Sequence, residues 1–170
     1  PPTDRFDAVI LSDVVEHVPD PVGLLRRLAR TPALGAAHWF VSVPNYAVWY
    51  NRLRTLAGRF DYAESGLYDR THLRFFTRRS LRRTLEHCEL DVIDERCTPS
   101  LVQSSAPWLR LLYERPLEQG RTLALGGSSL FRTYQRWVEP LEIGLCQLWP
   151  ELLGFQIVAV ARVRAGGEGR

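Results

Sequence analysis

Phe6-Asp-Ala-Val-Ile-Leu-Ser-Asp-Val-Val-Glu-His-Val-Pro-Asp-Pro21 is the stretch on which the reading of this chain turns. Phe6 to Leu11 is apolar except for Asp7, too short for a lone helix and suited to a parallel strand covered on both faces. Asp20 is a good N-cap, and Pro21 stands at the first helical position, where its missing N–H costs nothing. Between strand and helix lie Asp13, Glu16 and His17. In a helical turn, i, i+3 and i+4 place all three on one face. Ligands in open α/β sheets bind beyond the carboxyl ends of strands, and this polar turn falls there.

Working outward, Val22 to Arg30 reads as a helix with Leu24, Leu25 and Leu28 buried and Arg26, Arg27 and Arg30 facing water. Thr31-Pro32 ends it, because a residue before proline avoids the helical region. Ala37 to Val43 is a second buried strand, stopped by Pro44. Two strands joined by one helix form a right-handed parallel unit, so the expected class is α/β with a doubly wound sheet. Ala47 to Ala57 is expected to be helical, with Val48, Trp49, Leu53 and Leu56 inward. The polar stretch Gly58 to Thr71, with Asp61, Glu64, Gly66 and Asp69, has the length of a functional or mobile loop.

Thr77 then caps a helix through Cys88, with Leu81, Leu85 and Cys88 on one face, and Asp91 to Thr98 follows as a strand. Ser104 to Leu153 breaks the alternation. Leu130, Tyr134, Trp137, Val138, Leu141, Leu145 and Leu148 recur at helical spacing, with a kink expected at Pro140. Gly126-Gly127 separates that helix from a shorter one over Trp108 to Tyr113. Trp108, Trp137 and Trp149 are expected in the core. Phe155 to Val163 closes the domain as a strand, and Ala165 to Arg170 reads as a disordered tail.

The opening stretch resembles class I S-adenosylmethionine-dependent methyltransferases, whose fourth strand runs into an acid, two apolar residues, Glu-His and Pro-Asp-Pro. Phe40-Val-Ser-Val-Pro-Asn45 resembles that family's fifth strand, and His72-Leu-Arg-Phe-Phe-Thr77 resembles its His-x-x-x-Phe-Thr segment. The resemblance covers Phe6 to Thr98 well and the last strand loosely. It implies a Rossmann-like sheet entered at its fourth strand, an antiparallel pair of last strands at the sheet edge, and a helical insertion, residues 104–153, between them. Residues 1–164 would then be the C-terminal part of one methyltransferase domain, without the glycine-rich first loop that holds much of the cofactor. A Pro at position 1 and the absence of Met agree with a segment of a longer protein.

The resemblance also implies roles. Leu11, Ser12, Asp13 and Val14 would pass beside S-adenosylmethionine. Ubiquinone-pathway O-methyltransferases and small-RNA 3′-terminal 2′-O-methyltransferases carry an acid, two residues, then Glu-His; the RNA enzymes add a His five residues before a Thr. Asp13, Glu16, His17 and His72 match that pattern as a divalent-metal set, although the first acid there is Glu and the shorter Asp13 would draw the ion inward or forgo it. His72, Glu16 and His17 are the catalytic candidates, with a neutral His72 ring able to accept a hydroxyl proton. Three readings of Asp13, Glu16 and His17 stay open: bracing the following helix, touching cofactor, or holding a metal or moving a proton. Arg70 and Arg74 flank His72 and suit a phosphate or carboxylate.

Composition narrows the field. The chain has 170 residues, a net charge of +3 and 22 basic residues, every one Arg, which speaks of a GC-rich genome more than of a nucleic-acid partner. Cys88, Cys97 and Cys146 show no paired metal spacing, which fits a reduced, cytoplasmic protein. No apolar run reaches the roughly 18 residues a membrane span needs. The expected activity is methyl transfer to an oxygen or nitrogen of a small-molecule or glycan-like acceptor, inactive in this segment alone. A nucleotide-dependent dehydrogenase of the Tyr-x-x-x-Lys type is excluded here by the lack of Lys. A non-catalytic Rossmann-like binding module is the alternative.

Overall fold

The computed structural model describes residues 5–64, 66–99 and 132–164. Strand β1 (Ala8–Ser12) pairs in parallel with β2 (His38–Pro44), Ile10 standing opposite Phe40. Between them runs α1 (Pro21–Ala29), begun by Asp20, whose side chain accepts from the Gly23 amide at 2.9 Å. After β2 come α2 (Trp49–Leu56), the irregular loop and α3 (Arg78–His87), which opens on a reciprocal Thr77–Ser80 capping box. β3 (Leu90–Pro99) and β4 (Gly154–Val163) are antiparallel, and the four strands lie in the order β1-β2-β4-β3. A π-helical turn (Tyr134–Val138), α4 (Glu139–Leu148) and the single turn α5 (Pro150–Leu153) precede β4. This is a Rossmann-like α/β fold in partial form, with helices inserted before the last strand.

The core lies on one face of the sheet. Trp39, Val41 and Val43 of β2 and Ile157, Ala159 and Ala161 of β4 meet Leu25 and Ala29 of α1 and Leu81 and Leu85 of α3. Period-2 alternation sends the intervening residues to the other face. There Ile10 is 71% exposed and Phe40 38%. The expectation of a β1 covered on both faces is therefore corrected: Val9 and Leu11 pack inward, and Ile10 does not. The run of apolar residues is the same in either case, so only the neighbours decide.

Two helices also depart from expectation. In α2, Val48 and Asn51 are buried, whereas Trp49, Leu53 and Leu56 face outward. Periodicity identified a shared stripe, but no described element covers it. Trp137 and Trp149, expected in the core, are 69% and 63% exposed, for the same reason. Pro140 lies two residues after the π-helical turn Tyr134–Val138, within a helical run that continues into α4, so the regular hydrogen-bond ladder is interrupted where the proline is expected to disturb it. Trp108, the helix over Trp108 to Tyr113, Gly126-Gly127, Leu130, the first part of the insertion and the tail Ala165 to Arg170 lie outside the described residues. Among those described, no helix is long and apolar enough to cross a membrane.

Three polar or tight contacts lock the sheet's exits. The Glu95 carboxylate receives Arg78 Nε and Arg82 Nη2, each at 2.8 Å, tying α3 to β3. A Cβ at Gly154 would lie 2.5 Å from the Pro150 carbonyl oxygen, so only glycine lets β4 leave α5 this closely. Asn45 is wholly buried; its Nδ2 donates to the carbonyls of Glu151 (3.0 Å) and Gly154 (2.8 Å), and its Oδ1 accepts from the Ala47 amide at 3.0 Å. Asn45→Ala should destabilise the protein by about 3 kcal/mol, because it strands two buried carbonyls and an amide. The check is a lower urea midpoint at unchanged slope in the full-length protein; an unmoved midpoint would mean the lock carries nothing.

Candidate active site

The turn after β1 is a single 3₁₀ turn, Val15–His17, that buries Val15 and Glu16. It is clasped by the segment that follows the long loop: the Leu73 and Arg74 amides both donate to the Glu16 carbonyl, at 2.8 and 3.0 Å. Arg74 also donates from its guanidinium to the Pro19 carbonyl at 2.6 Å. An Asx turn aims the segment, with the Asp69 carboxylate accepting from the Thr71 amide (2.8 Å) and hydroxyl (2.7 Å). Those bonds hold the Asp69 carboxyl below the usual range. His72 is thereby set against His17, ring centroids 4.8 Å apart.

Glu16, His17 and His72 each offer a ligand atom within 4.8 Å of the other two. Both rings are oriented the same way. Nδ1 of His17 bonds the Thr71 carbonyl at 3.0 Å, and Nδ1 of His72 bonds the Leu67 carbonyl at 3.2 Å. A carbonyl only accepts, so each Nδ1 carries its proton, and the neutral form of either ring has its bare lone pair on Nε2. Glu16 is 1% exposed, and among the described residues neither of its carboxylate oxygens has a hydrogen-bond partner. A buried, unpartnered carboxylate beside two oriented imidazoles fits a cation with ~2.0–2.2 Å bonds after small side-chain movements.

Burial raises the Glu16 pKa from 4.5, and the nearby Asp13 charge adds to the rise, against lowering by its own nearby backbone amide and the two histidines. The native state then holds a proton that the unfolded chain has released, so ligand-free stability falls as pH climbs from 4.5 through the raised value. Glu16→Gln should therefore stabilise the chelator-treated protein at neutral pH and flatten that slope. Urea titrations at several pH values check it; a Gln variant weaker than wild type would reveal a missing carboxylate partner.

Asp13 stands apart from this group. Its φ of 52° is left-handed, which takes it out of the 3₁₀ turn and off the face that carries Glu16. Its Oδ1 accepts from Gln156 Nε2 at 2.7 Å, and its Oδ2 accepts from the Ser12 hydroxyl at 3.3 Å. Ser42 Oγ donates to Ser12 Oγ at 3.1 Å, and Gln156 Nε2 also lies 3.4 Å from Ser42 Oγ. The result is a polar ring from three strands at the carboxyl end of β1, opening on the same face as Ile10. An exposed carboxylate among hydroxyls suits a ligand bearing an ammonium and hydroxyl groups. Leu11, half-buried, packs on the core and offers only its backbone to such a ligand; Val14 is exposed and caps the 3₁₀ turn.

Beside Glu16 and His72 lies a small depression with room for about one water molecule, walled by Tyr46, Leu67, Phe75 and Arg74. The Tyr46 and Phe75 rings are 4.6 Å apart. Burial pushes the Tyr46 phenol up to about 12, so it stays protonated near neutrality. Arg70 instead pairs with Glu64 at 3.2 Å. Sequence reading missed Asp69 and Gln156. Asp69-Arg-Thr71 carries an Asx-turn signal that points to the first, whereas nothing local marks the second.

The family described as methyltransferase domain matches residues 1–95. No curated protein matches the chain. Among solved structures, a SAM-dependent methyltransferase from Archaeoglobus fulgidus is 16% identical over 93% of this chain, with a TM-score of 0.45. A methyltransferase from Bacillus halodurans, itself assigned only provisionally, is 14% identical over 97%, with a TM-score of 0.48. The chain spans 59% of the Archaeoglobus protein and 73% of the Bacillus one. With more than half of its length matched by that one family, this chain belongs to the methyltransferase-domain family.

Proposed function

We propose that the chain is the C-terminal part of a class I S-adenosylmethionine-dependent methyltransferase domain, acting on an oxygen or nitrogen of a small-molecule or glycan-like acceptor. The observation that carries the reading is the buried, unpartnered Glu16 carboxylate flanked by the bare Nε2 atoms of His17 and His72 at the carboxyl edge of a parallel strand pair. Such a group costs stability and persists where a ligand or a reaction uses it. The uncovered face around Ile10 and the free edge of β1 suit a domain whose remaining strands and helices pack there.

In this reading Leu11, Ser12, Asp13 and Val14 line the cofactor, with the Asp13 carboxylate toward its ammonium. S-adenosylmethionine, when bound, supplies an electrophilic methyl on a sulfonium sulfur. The protein's contribution is positional: an acceptor held in line beside His72 gains most of its acceleration from fixed geometry. His72 Nε2 takes the acceptor's proton as its oxygen or nitrogen gains the methyl group. The alternative use of the same His72 lone pair is ligation: Glu16, His17 and His72 would then hold a divalent cation, whose charge would favour an ionised acceptor hydroxyl in place of a protein base.

The test is transfer of a labelled methyl group by the full-length protein to a panel of hydroxyl and amine acceptors, with and without chelator. Transfer that chelation abolishes and Mg²⁺ or Mn²⁺ restores assigns the trio to a metal; transfer that ignores chelator assigns His72 as the base. No transfer to any acceptor, with cofactor bound, would favour a binding module.

A further inference from the structure

We infer that Gln156 is a positioning residue for the cofactor: from β4 it holds Asp13, and through Asp13 the exit turn of β1, in the shape the cofactor's ammonium end requires. The inference rests on the cofactor reading above and adds to it a residue more than 140 positions away in sequence.

Asp13 is one of two described non-glycine residues with a positive φ, a conformation L residues adopt at a cost. Something must hold it there. Its amide donates to the Ser42 carbonyl at 3.1 Å, which fixes the backbone on the β2 side. On the open side, Gln156 Nε2 donates at 2.7 Å, the shortest contact in the polar ring. The orientation of the Gln156 amide follows from chemistry, since a carboxylate can only accept and so must face the nitrogen. Ser12 supplies a longer bond from within the same turn, and that bond cannot anchor the turn to anything else.

Gln156 has little other reason to be glutamine. Its neighbours along this face of β4 are Val158 and Val160, and a β-branched residue would suit the strand better. Its own amide donates to Thr98 Oγ1 at 3.2 Å, where the β3–β4 register shifts, so backbone pairing does not select the side chain. It also lies two residues beyond Gly154, where β4 leaves the helical insertion. The Gln156–Asp13 bond therefore ties the insertion's exit to the cofactor turn.

The test uses full-length protein and calorimetric titration with S-adenosylhomocysteine, beside amide hydrogen exchange of the ligand-free state. Gln156→Leu keeps the bulk and removes the donor. It should weaken S-adenosylhomocysteine binding about tenfold, a charge-assisted bond on a partly exposed site, leave the acceptor KM unchanged, and speed exchange at Asp13 and Val14. Gln156→Glu can donate to Asp13 only when protonated. Relative to wild type at each pH, its affinity should be lowest at pH 8 and recover toward pH 5, a dependence that a packing role would not produce. Wild type that binds while both variants stay within twofold of it overturns the inference alone. Wild type that fails to bind overturns the cofactor reading and the inference with it.

Discussion

His72→Ala is expected to lower methyl transfer by the full-length protein about 10²- to 10⁴-fold, the span typical of a positioned acid–base group, while cofactor affinity stays within about twofold of wild type. The split follows from geometry. His72 stands on the segment that clasps the 3₁₀ turn, its Nδ1 fixed by the Leu67 carbonyl and its ring lining the depression beside Glu16. The residues proposed to line the cofactor sit instead on the turn of β1, held by Ser42 and Gln156. Glu16→Ala should cost turnover on a similar scale for a different reason, by removing the one anionic member of the trio. The pH–rate profile tells the roles apart: a general base leaves a profile whose acid limb disappears in His72→Ala, whereas a metal ligand leaves a variant that excess Mg²⁺ or Mn²⁺ partly restores. Unchanged turnover in His72→Ala would reduce the residue to a packed histidine.

The second large effect is structural. Trp39→Ala should destabilise the protein by about 3–5 kcal/mol, as expected for a buried aromatic removed from a packed core. Trp39 is among the largest fully buried side chains, near the start of β2, with α1 and α3 packed on its face. Leu56→Ala is the control: Leu56 is 84% exposed, so its loss should stay within about 0.5 kcal/mol. Urea unfolding of the full-length variants measures both. A Trp39 variant as stable as the Leu56 variant would contradict the placement of the core.

What could be read from the sequence was whatever is written locally. Asp20 and Pro21 announce α1, Thr77 announces α3, and the apolar runs announce β1 and β2; all four elements form there. Burial was less legible, because the stripe Trp49–Leu53–Leu56 has the right spacing but depends on an element elsewhere to cover it. The meeting of His72 with Glu16 and His17 was suggested by resemblance and by topology, and it is secured by Asp69, whose turn signal is local. Asp13 shows the limit most clearly. Sequence spacing puts it on one face with Glu16 only if the turn is helical from its first residue, and the left-handed backbone at Asp13 shifts the helix start to Val15. Gln156 lies beyond any such reading, since its partner is 143 residues away.

The most direct test of the central claim is calorimetric titration of the full-length protein, and of this 170-residue chain beside it, with S-adenosylmethionine. The account predicts saturable one-to-one binding by the full-length protein and weak or no binding by the 170-residue chain. In the proposed reading its polar ring meets the ammonium end, and among the described residues no glycine-rich loop opens a helix for the rest. Absence of binding to the full-length protein would contradict the account.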